Sequence, residues 1–383
     1  MRTVYLDNAA TSFPKPAVVS SRMKDYLDQV GANVGRASYG AAQQAGLTVL
    51  SLRERLGRLL DFDDPAHVVL TAGATAGLNL VLKGLLRPGD HCLVSSMEHN
   101  AVMRPLNQLA KIGVTFDRIP CDREGRLDPA GLVPLLRPNT RLVVLAHASN
   151  VCGTVQDAAA VGALCAARGV PLVLDGAQTA GHYPISCKAF SLSALVIPGH
   201  KGLLGPSGIG AVLLAPAFAR QLEPLIAGGT GSASDLEEIP AWMPDRFEAG
   251  TLNLPGVYGW EAALAFVEET GIAALRAHEL DLTRRFLDGL AGLRGVRLLG
   301  TRDLNRRVGV LALDFAALDN AEAAFRLEQE FGILTRCGLH CAPSAHRTLG
   351  SFPQGCVRFS LGFHNTPGDV DAALTAIRRL TGE

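Results

Sequence analysis

The sequence lacks an excess of charge of either sign: 36 lysines and arginines balance 36 aspartates and glutamates. With no strongly basic face implied, nucleic acid is not expected as a ligand. Runs such as Arg53-Glu54-Arg55 read as solvated helix faces. No apolar run approaches the roughly 18 residues a membrane span requires. The opening Met1-Arg2-Thr3-Val4-Tyr5-Leu6-Asp7 has no apolar segment of the kind that marks a signal peptide. A soluble, cytoplasmic chain with no membrane partner is therefore expected. No CxxC pair occurs either, so no structural zinc and no other metal is expected. The eight cysteines are scattered. Cys92, Cys121, Cys165, Cys187 and Cys356 read as small buried hydrophobes in a reducing compartment. Internal repeats and low-complexity tracts are absent.

What is present is a globular chain of 383 residues, 48% hydrophobic and 19% charged, a length that suits two domains. Between about 65 and 215, short apolar runs at 67–71, 91–95, 114–119, 141–146, 171–174, 193–197 and 209–214 read as seven strands. Helical tracts at 75–86, 100–112, 128–136 and 157–168 separate the first five, the pattern of a mostly parallel sheet covered on both faces. The last two strands, joined by a Gly/Pro-rich loop, read as a hairpin that adds an antiparallel strand. The stretch 228–258 has no clear period and reads as an ordered loop region. Helices at 257–291 with a break near Gly271, strands at 296–299, 308–314 and 356–360, and helices at 319–331 and 367–381 make an α+β tail. The division expected is a large α/β domain over 16–256 and a small α+β domain of 1–15 plus 257–383.

Two apolar strands deliver chemistry to their ends: Leu172-Val173-Leu174-Asp175 an aspartate, and Ile197-Pro198-Gly199-His200-Lys201 a lysine. Open α/β sheets bind ligands at such strand ends. A buried carboxylate that keeps a pyridine nitrogen protonated, with a lysine to hold an aldehyde as a Schiff base, is what pyridoxal 5′-phosphate requires. An ordinary buried ion pair has the same pattern. Thr71-Ala72-Gly73-Ala74-Thr75-Ala76-Gly77 lies between a strand and a helix, where small residues and a helix N-terminus suit an anion. Gly205-Pro206-Ser207-Gly208-Ile209-Gly210 leads into a strand and is rejected as a phosphate loop. His99 and Asn150 follow strands; His99 can stack on an aromatic ring and shuttle protons, and Asn150 or Gln178 can hydrogen-bond a phenolic oxygen. Arg336-Cys337-Gly338-Leu339-His340-Cys341-Ala342-Pro343 places Cys341 in a loop, where neighbouring imidazole or arginine charge would favour its thiolate. Arg358 puts a positive charge in an apolar strand and needs a partner, a role a substrate carboxylate held bidentately would fill.

These segments, in order, carry a resemblance: YLDNAATSFPKP at 5–16, TAGATAGLNL at 71–80, MEHNA at 97–101, DGAQTAG at 175–181, GHKGLLGPSGIG at 199–210, RFEAGTLN at 246–253, RCGLHCAP at 336–343 and VRFSLGFHNT at 357–366. The chain resembles the class V aminotransferase family of fold-type I pyridoxal-phosphate enzymes. Within it, the chain is similar to the cysteine desulfurases and selenocysteine lyases of the group-II, sulfur-mobilising kind. The resemblance implies a seven-stranded, mostly parallel sheet with a smaller α+β domain, pyridoxal 5′-phosphate as cofactor and a homodimer with shared active sites. It implies conversion of L-cysteine to L-alanine with sulfur passed to Cys341 as a persulfide, then to a protein acceptor, as in iron–sulfur cluster assembly. Lys201 matches the Schiff-base lysine, Asp175 the partner of the ring nitrogen, and His99 the histidine stacked on the ring. Gln178 and Asn150 match groups near the phenolic oxygen; Thr75 and His200 match phosphate ligands, and Ala76 counts among the cofactor-binding residues; Thr230 matches a phosphate contact from the second subunit. Arg358, with Asn33, matches the groups that hold the substrate.

Two positions depart from the pattern. Relatives often have a phosphate-binding serine where this chain has Pro198, which has no hydroxyl. Cys337 stands where proline or threonine is usual; it could pair with Cys341, receive its persulfide or be incidental. Selenocysteine cleavage or direct C–S lysis, and more distantly transamination, are the alternative chemistries on this scaffold. A silent scaffold that only relays sulfur is the alternative of another class.

Overall fold

The computed structural model describes residues 2–35, 39–232 and 235–382. Strand β1 (Val4–Tyr5), helix α1 (Ala17–Asp25) and the long helix α2 (Gly40–Leu60) come first. Strands and helices then alternate as β2 (Val68–Thr71), α3 (Ala74–Leu85), β3 (His91–Ser95), α4 (Asn100–Ala110), β4 (Thr115–Ile119), β5 (Thr140–Ala146), α5 (Ala158–Ala166), β6 (Leu172–Asp175), β7 (Ala194–Pro198) and β8 (Gly210–Leu214). A single turn, α6 (Pro216–Ala219), and an irregular stretch lead to α7 (Leu254–Thr270) and α8 (Ile272–Gly289). The tail is β9 (Val296–Leu299), β10 (Val310–Phe315), α9 (Asn320–Phe331), β11 (Ile333–Leu334), β12 (Arg336–Gly338), α10 (Pro343–Leu349), β13 (Cys356–Ser360) and α11 (Pro367–Thr381).

The large sheet has seven strands in the order β2-β8-β7-β6-β5-β3-β4, and only β8 runs antiparallel to its neighbours. Alternation along each strand feeds two cores. Val143 and Leu145 of β5 join one, beneath α2, α5 and α7; Leu142 and Val144 join the other, beneath α3 and α4. Burial on both faces is why these strands are continuous apolar runs. The segment expected as a helix over 128–136 is instead a 3-10 turn, Pro129–Leu135. Pro134 lies inside it and has no N–H for an α-helical bond.

A four-stranded antiparallel sheet, β12-β13-β10-β9, forms the second body, with α8, α9 and α11 over its core. β1 pairs with β11, so the N-terminus is part of this region. Helix α7 buries Leu254, Val257, Trp260 and Leu264 in the large-sheet core, while Leu282 and Phe286 of α8 face the small one. The hand-over between cores thus falls near Gly271, inside the stretch assigned to the small domain. No helix among the described residues is long and apolar enough to cross a membrane.

The RFEAGTLN segment has a structural use. Glu248 accepts from the β2 backbone at Leu70 N, 2.6 Å away, and pairs with Arg53 NH2 of α2 at 2.6 Å. Arg53 NH1 also donates to the Val68 carbonyl at 2.6 Å. Both side chains are buried, so removing one strands the other's charge. Glu248→Ala is expected to lower stability by about 3–5 kcal/mol, read as a lower urea midpoint in equilibrium unfolding.

Candidate active site

The carboxyl ends of β3, β5, β6 and β7 open into a cavity of about 530 Å³. Its wall brings together Thr75, Ala76, His99, Asn150, Asp175, Gln178, His200 and Lys201, every cofactor residue expected from the sequence except Thr230. Gly73, at φ +142°, enters α3, and the space beside its Cα is open, so no side chain screens the backbone there. Thr75 and Ala76 lie in the first turn of α3 and are exposed to the cavity.

Asp175 ends β6, is 6% exposed and accepts from Ala177 N at 2.9 Å. Burial raises its pKa, against the pull of that hydrogen bond and of the Lys201 charge, so a cation in the cavity would be stabilised beside it. Lys201 is partly exposed and lines the cavity, and its ammonium is desolvated by the surrounding protein. Burial lowers its pKa to about 8, with Asp175 opposing and Arg358 and Arg336 adding to the fall. A sizeable share of Lys201 is therefore a neutral amine near pH 8. His99 caps α4, its Nδ1 accepting from Ala101 N at 3.0 Å. Burial and the nearby Lys201 charge lower its pKa to about 4, so it presents a neutral ring.

His200 has its Nδ1 buried with no hydrogen-bond partner among the described residues, and burial holds its pKa at about 4. His200 lines the cavity as a neutral imidazole, a ring whose N–H can donate to an anion. Pro198 also lines the cavity, as does Ser207, whose hydroxyl is exposed there. The rejected Gly205–Gly210 segment thus contributes a wall, though no helix. Asn150 donates through Nδ2 to the His340 carbonyl at 2.7 Å, and Gln178 through Nε2 to the Ala9 carbonyl at 3.0 Å. One N–H of each amide is committed to the backbone.

The cysteine loop is fastened to this wall. Asn100 N, the residue after His99, donates to the Cys341 carbonyl at 2.7 Å. With the Asn150 bond to His340, two residues flanking the cavity grip consecutive carbonyls of the loop. His340 and Cys341 both have left-handed backbone, at φ 48° and 56°, a conformation uncommon for such residues and found where surroundings impose it. Cys341 is exposed. The expectation that neighbouring imidazole charge favours its thiolate fails for His340, which burial keeps neutral, with a pKa of about 3. Cys337 is exposed on β12, and neither it nor Cys341 is in a disulfide.

Arg358 on β13 is 2% exposed. Its NH2 meets Asp7 Oδ1 at 2.6 Å and its NH1 donates to the Asn150 carbonyl at 3.0 Å, while Nε is buried without a partner among the described residues. Arg336 lies on the other Asp7 oxygen at 3.6 Å. An internal carboxylate therefore holds the fork that the sequence reading assigns to substrate. Asn33 is exposed, bonds its own loop at Val34 N and does not line the cavity. Thr230 bonds Ser232 Oγ at 3.0 Å and is likewise outside it.

A family model described as aminotransferase class-V matches residues 4–373. The chain belongs to that family. It is 30% identical over 384 residues to a Methanothermobacter thermautotrophicus protein named "Probable cysteine desulfurase", covering 99% of this chain and 95% of that one. An Escherichia coli cysteine desulfurase is 32% identical over 384 residues, with 98% and 93% covered. The apo structure of a Thermococcus onnurineus cysteine desulfurase superposes with a TM-score of 0.93 at 30% identity, covering 99% and 95% of the two chains.

Two residues of this class V chain matter more than their sequence context suggests. Lys15 reaches back to the His200 carbonyl at 2.6 Å and to Ser12 Oγ at 2.7 Å, fixing the peptide just before Lys201. Burial lowers its pKa to about 8. Glu98, fully buried and next to His99 in the chain, accepts from Ser95 Oγ and from Ala146 N at 2.9 Å, and its Oε2 has no partner among the described residues. Burial raises its pKa from 4.5 to about 8. The only local signal for Glu98 was an acid at the end of an apolar strand. A folded pKa above the unfolded one favours the protonated fold, so this contribution is full below pH 4.5 and is lost as pH rises through about 8. Wild type should lose up to a few kcal/mol across that window. Glu98→Gln should not lose this component, which urea unfolding of the two proteins at pH 5 and pH 8 would compare.

Proposed function

We propose that this class V protein is a pyridoxal-phosphate-dependent cysteine desulfurase, which takes sulfur from L-cysteine onto Cys341 and releases L-alanine. The observation that carries the reading is the grip of Asn100 and Asn150 on the His340–Cys341 backbone. It ties an exposed thiol to the rim of the cavity that holds Lys201 and Asp175. The cavity residues suit the cofactor. Asp175 would face the ring nitrogen, His99 the ring, and His200 with the α3 N-terminus and Thr75 the phosphate. Ser207 offers the hydroxyl that Pro198 lacks. Bound there, the cofactor supplies an electron sink that weakens the Cα–H and Cβ–S bonds of an attached amino acid.

The chain's own groups supply the rest. Arg358 orients the substrate carboxylate, which takes the place of Asp7 on its NH2. Neutral Lys201 accepts the Cα proton and returns a proton to carbon. Cys341 attacks the substrate sulfur as a thiolate: the S–S bond forms as the Cβ–S bond breaks, and the electron pair leaves with carbon. The balance is L-cysteine plus Cys341 thiol giving L-alanine plus Cys341 persulfide. An exposed Cys341 lets a protein acceptor or a small thiol collect the sulfur. A cytoplasmic setting accords with free thiols.

A homodimer belongs to this reading. Thr230 lies outside its own chain's cavity, and Leu225, Ile226 and Trp242 beside its loop are 44–69% exposed, apolar surface suited to a second copy. Thr230 would then reach the partner's phosphate site. The test is turnover of L-cysteine with a thiol reductant and no keto acid. Equal yields of alanine and sulfide are expected; a strict keto-acid requirement would mean transamination instead.

A further inference from the structure

Behind the Cys341 loop, three side chains from a turn, a helix and a strand converge. His340, His346 of α10 and Cys356 of β13 each offer a ligand atom within 4.8 Å of the other two. All are buried: His340 is 8% exposed, His346 and Cys356 0%. Cys356 Sγ lies 3.9 Å from His340 Nδ1, and the two rings are nearly parallel, with centroids 5.7 Å apart. Each histidine has its other nitrogen engaged. His340 Nε2 faces the Arg336 carbonyl at 3.2 Å, and His346 Nδ1 faces Ser351 Oγ at 2.8 Å. Metal-binding histidines are oriented in this way, the second ring N–H donated to a carbonyl or hydroxyl. In the tautomers that donate to the Arg336 carbonyl and Ser351 Oγ, Nδ1 of His340 and Nε2 of His346 carry the lone pairs. His346 Nε2 is buried and completes no hydrogen bond among the described residues, although the Leu339 carbonyl lies near enough to the ring to oppose the fall in its pKa.

We propose that His340 Nδ1, His346 Nε2 and Cys356 Sγ form a binding site for a divalent cation of the zinc type. Two imidazoles and a thiolate are the donor set that borderline-soft metals take, with a fourth place left for water. In a tetrahedral zinc site neighbouring N and S ligands stand about 3.5 Å apart, so the 3.9 Å contact needs only a small contraction. Binding takes Cys356 as the thiolate, so its thiol proton passes to the buffer. The metal would also clamp His340, which together with Cys341 has left-handed backbone, so occupancy would stiffen the loop carrying the exposed thiol. The site does not depend on the desulfurase reading, because none of its three ligands is a reacting group there.

Cobalt(II) titrated into the metal-stripped holoenzyme is the probe. The expected result is one cobalt per chain, with tetrahedral d–d bands lying beyond the cofactor's absorption and a thiolate-to-cobalt charge-transfer band, both abolished by zinc. Cys356→Ser should remove the charge-transfer band, and His346→Asn should weaken binding by at least about 100-fold. Ser351→Ala should cost about 10–100-fold through the orientation of His346. Circular dichroism checks that each variant is folded, and either ligand variant, Cys356→Ser or His346→Asn, suffices if the other is not. Cys337→Ser and Cys341→Ser should leave the spectrum unchanged. No tetrahedral cobalt spectrum at stoichiometric metal would overturn the proposal, as would a spectrum that survives in folded Cys356→Ser but is lost in Cys341→Ser or Cys337→Ser.

Discussion

Lys201→Ala should lose essentially all alanine formation from L-cysteine, a fall on the order of a million-fold, as expected when a group central to every step is removed. Lys201 is the cavity's amine, desolvated enough that its pKa falls to about 8 and close enough to Asp175 to feel its charge. In the proposed reaction it both tethers the cofactor and moves the Cα proton, so no other side chain on the wall can substitute. His99 and His200 are held neutral by burial, but neither is an amine that can form a Schiff base. Wild type should show a visible band near the Schiff-base absorption that borohydride removes, and Lys201→Ala should lack it. A variant that kept the band and the rate would place the attachment elsewhere. Because Lys201 faces the cavity rather than the apolar core, Lys201→Ala should fold, and its unfolding midpoint should stay near that of wild type.

Cys341→Ser should reduce alanine formation from L-cysteine by about a thousandfold or more, the scale on which losing a nucleophile is felt. Cofactor absorption should not change. The hydroxyl keeps the size of the thiol, and the backbone carbonyl that binds Asn100 N is untouched, so the loop should stay seated. Serine cannot accept sulfur as a persulfide. With L-selenocysteine the weaker C–Se bond can break without covalent capture, and the loss should be much smaller. Equal losses on the two substrates would mean that Cys341 acts by holding the loop rather than by attacking sulfur. Cys337→Ser separates the two exposed thiols: its rate should stay near wild type if the second cysteine is incidental.

The large sheet was legible because strands buried on both faces must be apolar throughout. The runs at 91–95, 296–299 and 356–360 coincide with β3, β9 and β13. The cavity residues were legible for a related reason: Asp175 ends a strand and the others lie within about five residues after one, so position in the chain becomes position at the sheet's carboxyl edge. Helices α1 and α2 were not set out from the sequence. α1 buries only Val19, and α2 buries Thr48 and Arg53 among its apolar residues, which blurs its stripe. Contacts that depend on chain closure had no local signal. Asp7 meets Arg358 across 351 residues and Glu248 meets Arg53 across 195. The convergence of His340, His346 and Cys356 matches no short-spacing metal motif. Thiolate stabilisation by His340 was expected from adjacency, whereas burial decides that group's charge.

The most direct test of sulfur transfer to Cys341 is the mass of the peptide carrying that residue after a single turnover. The cofactor-loaded protein is given one equivalent of L-cysteine without reductant, the thiols are alkylated, and the digest is weighed beside the alanine yield. One additional sulfur atom on Cys341 for each alanine formed is the predicted result. Alanine formed in equal amount with free sulfide, and Cys341 carrying no added sulfur, would contradict it.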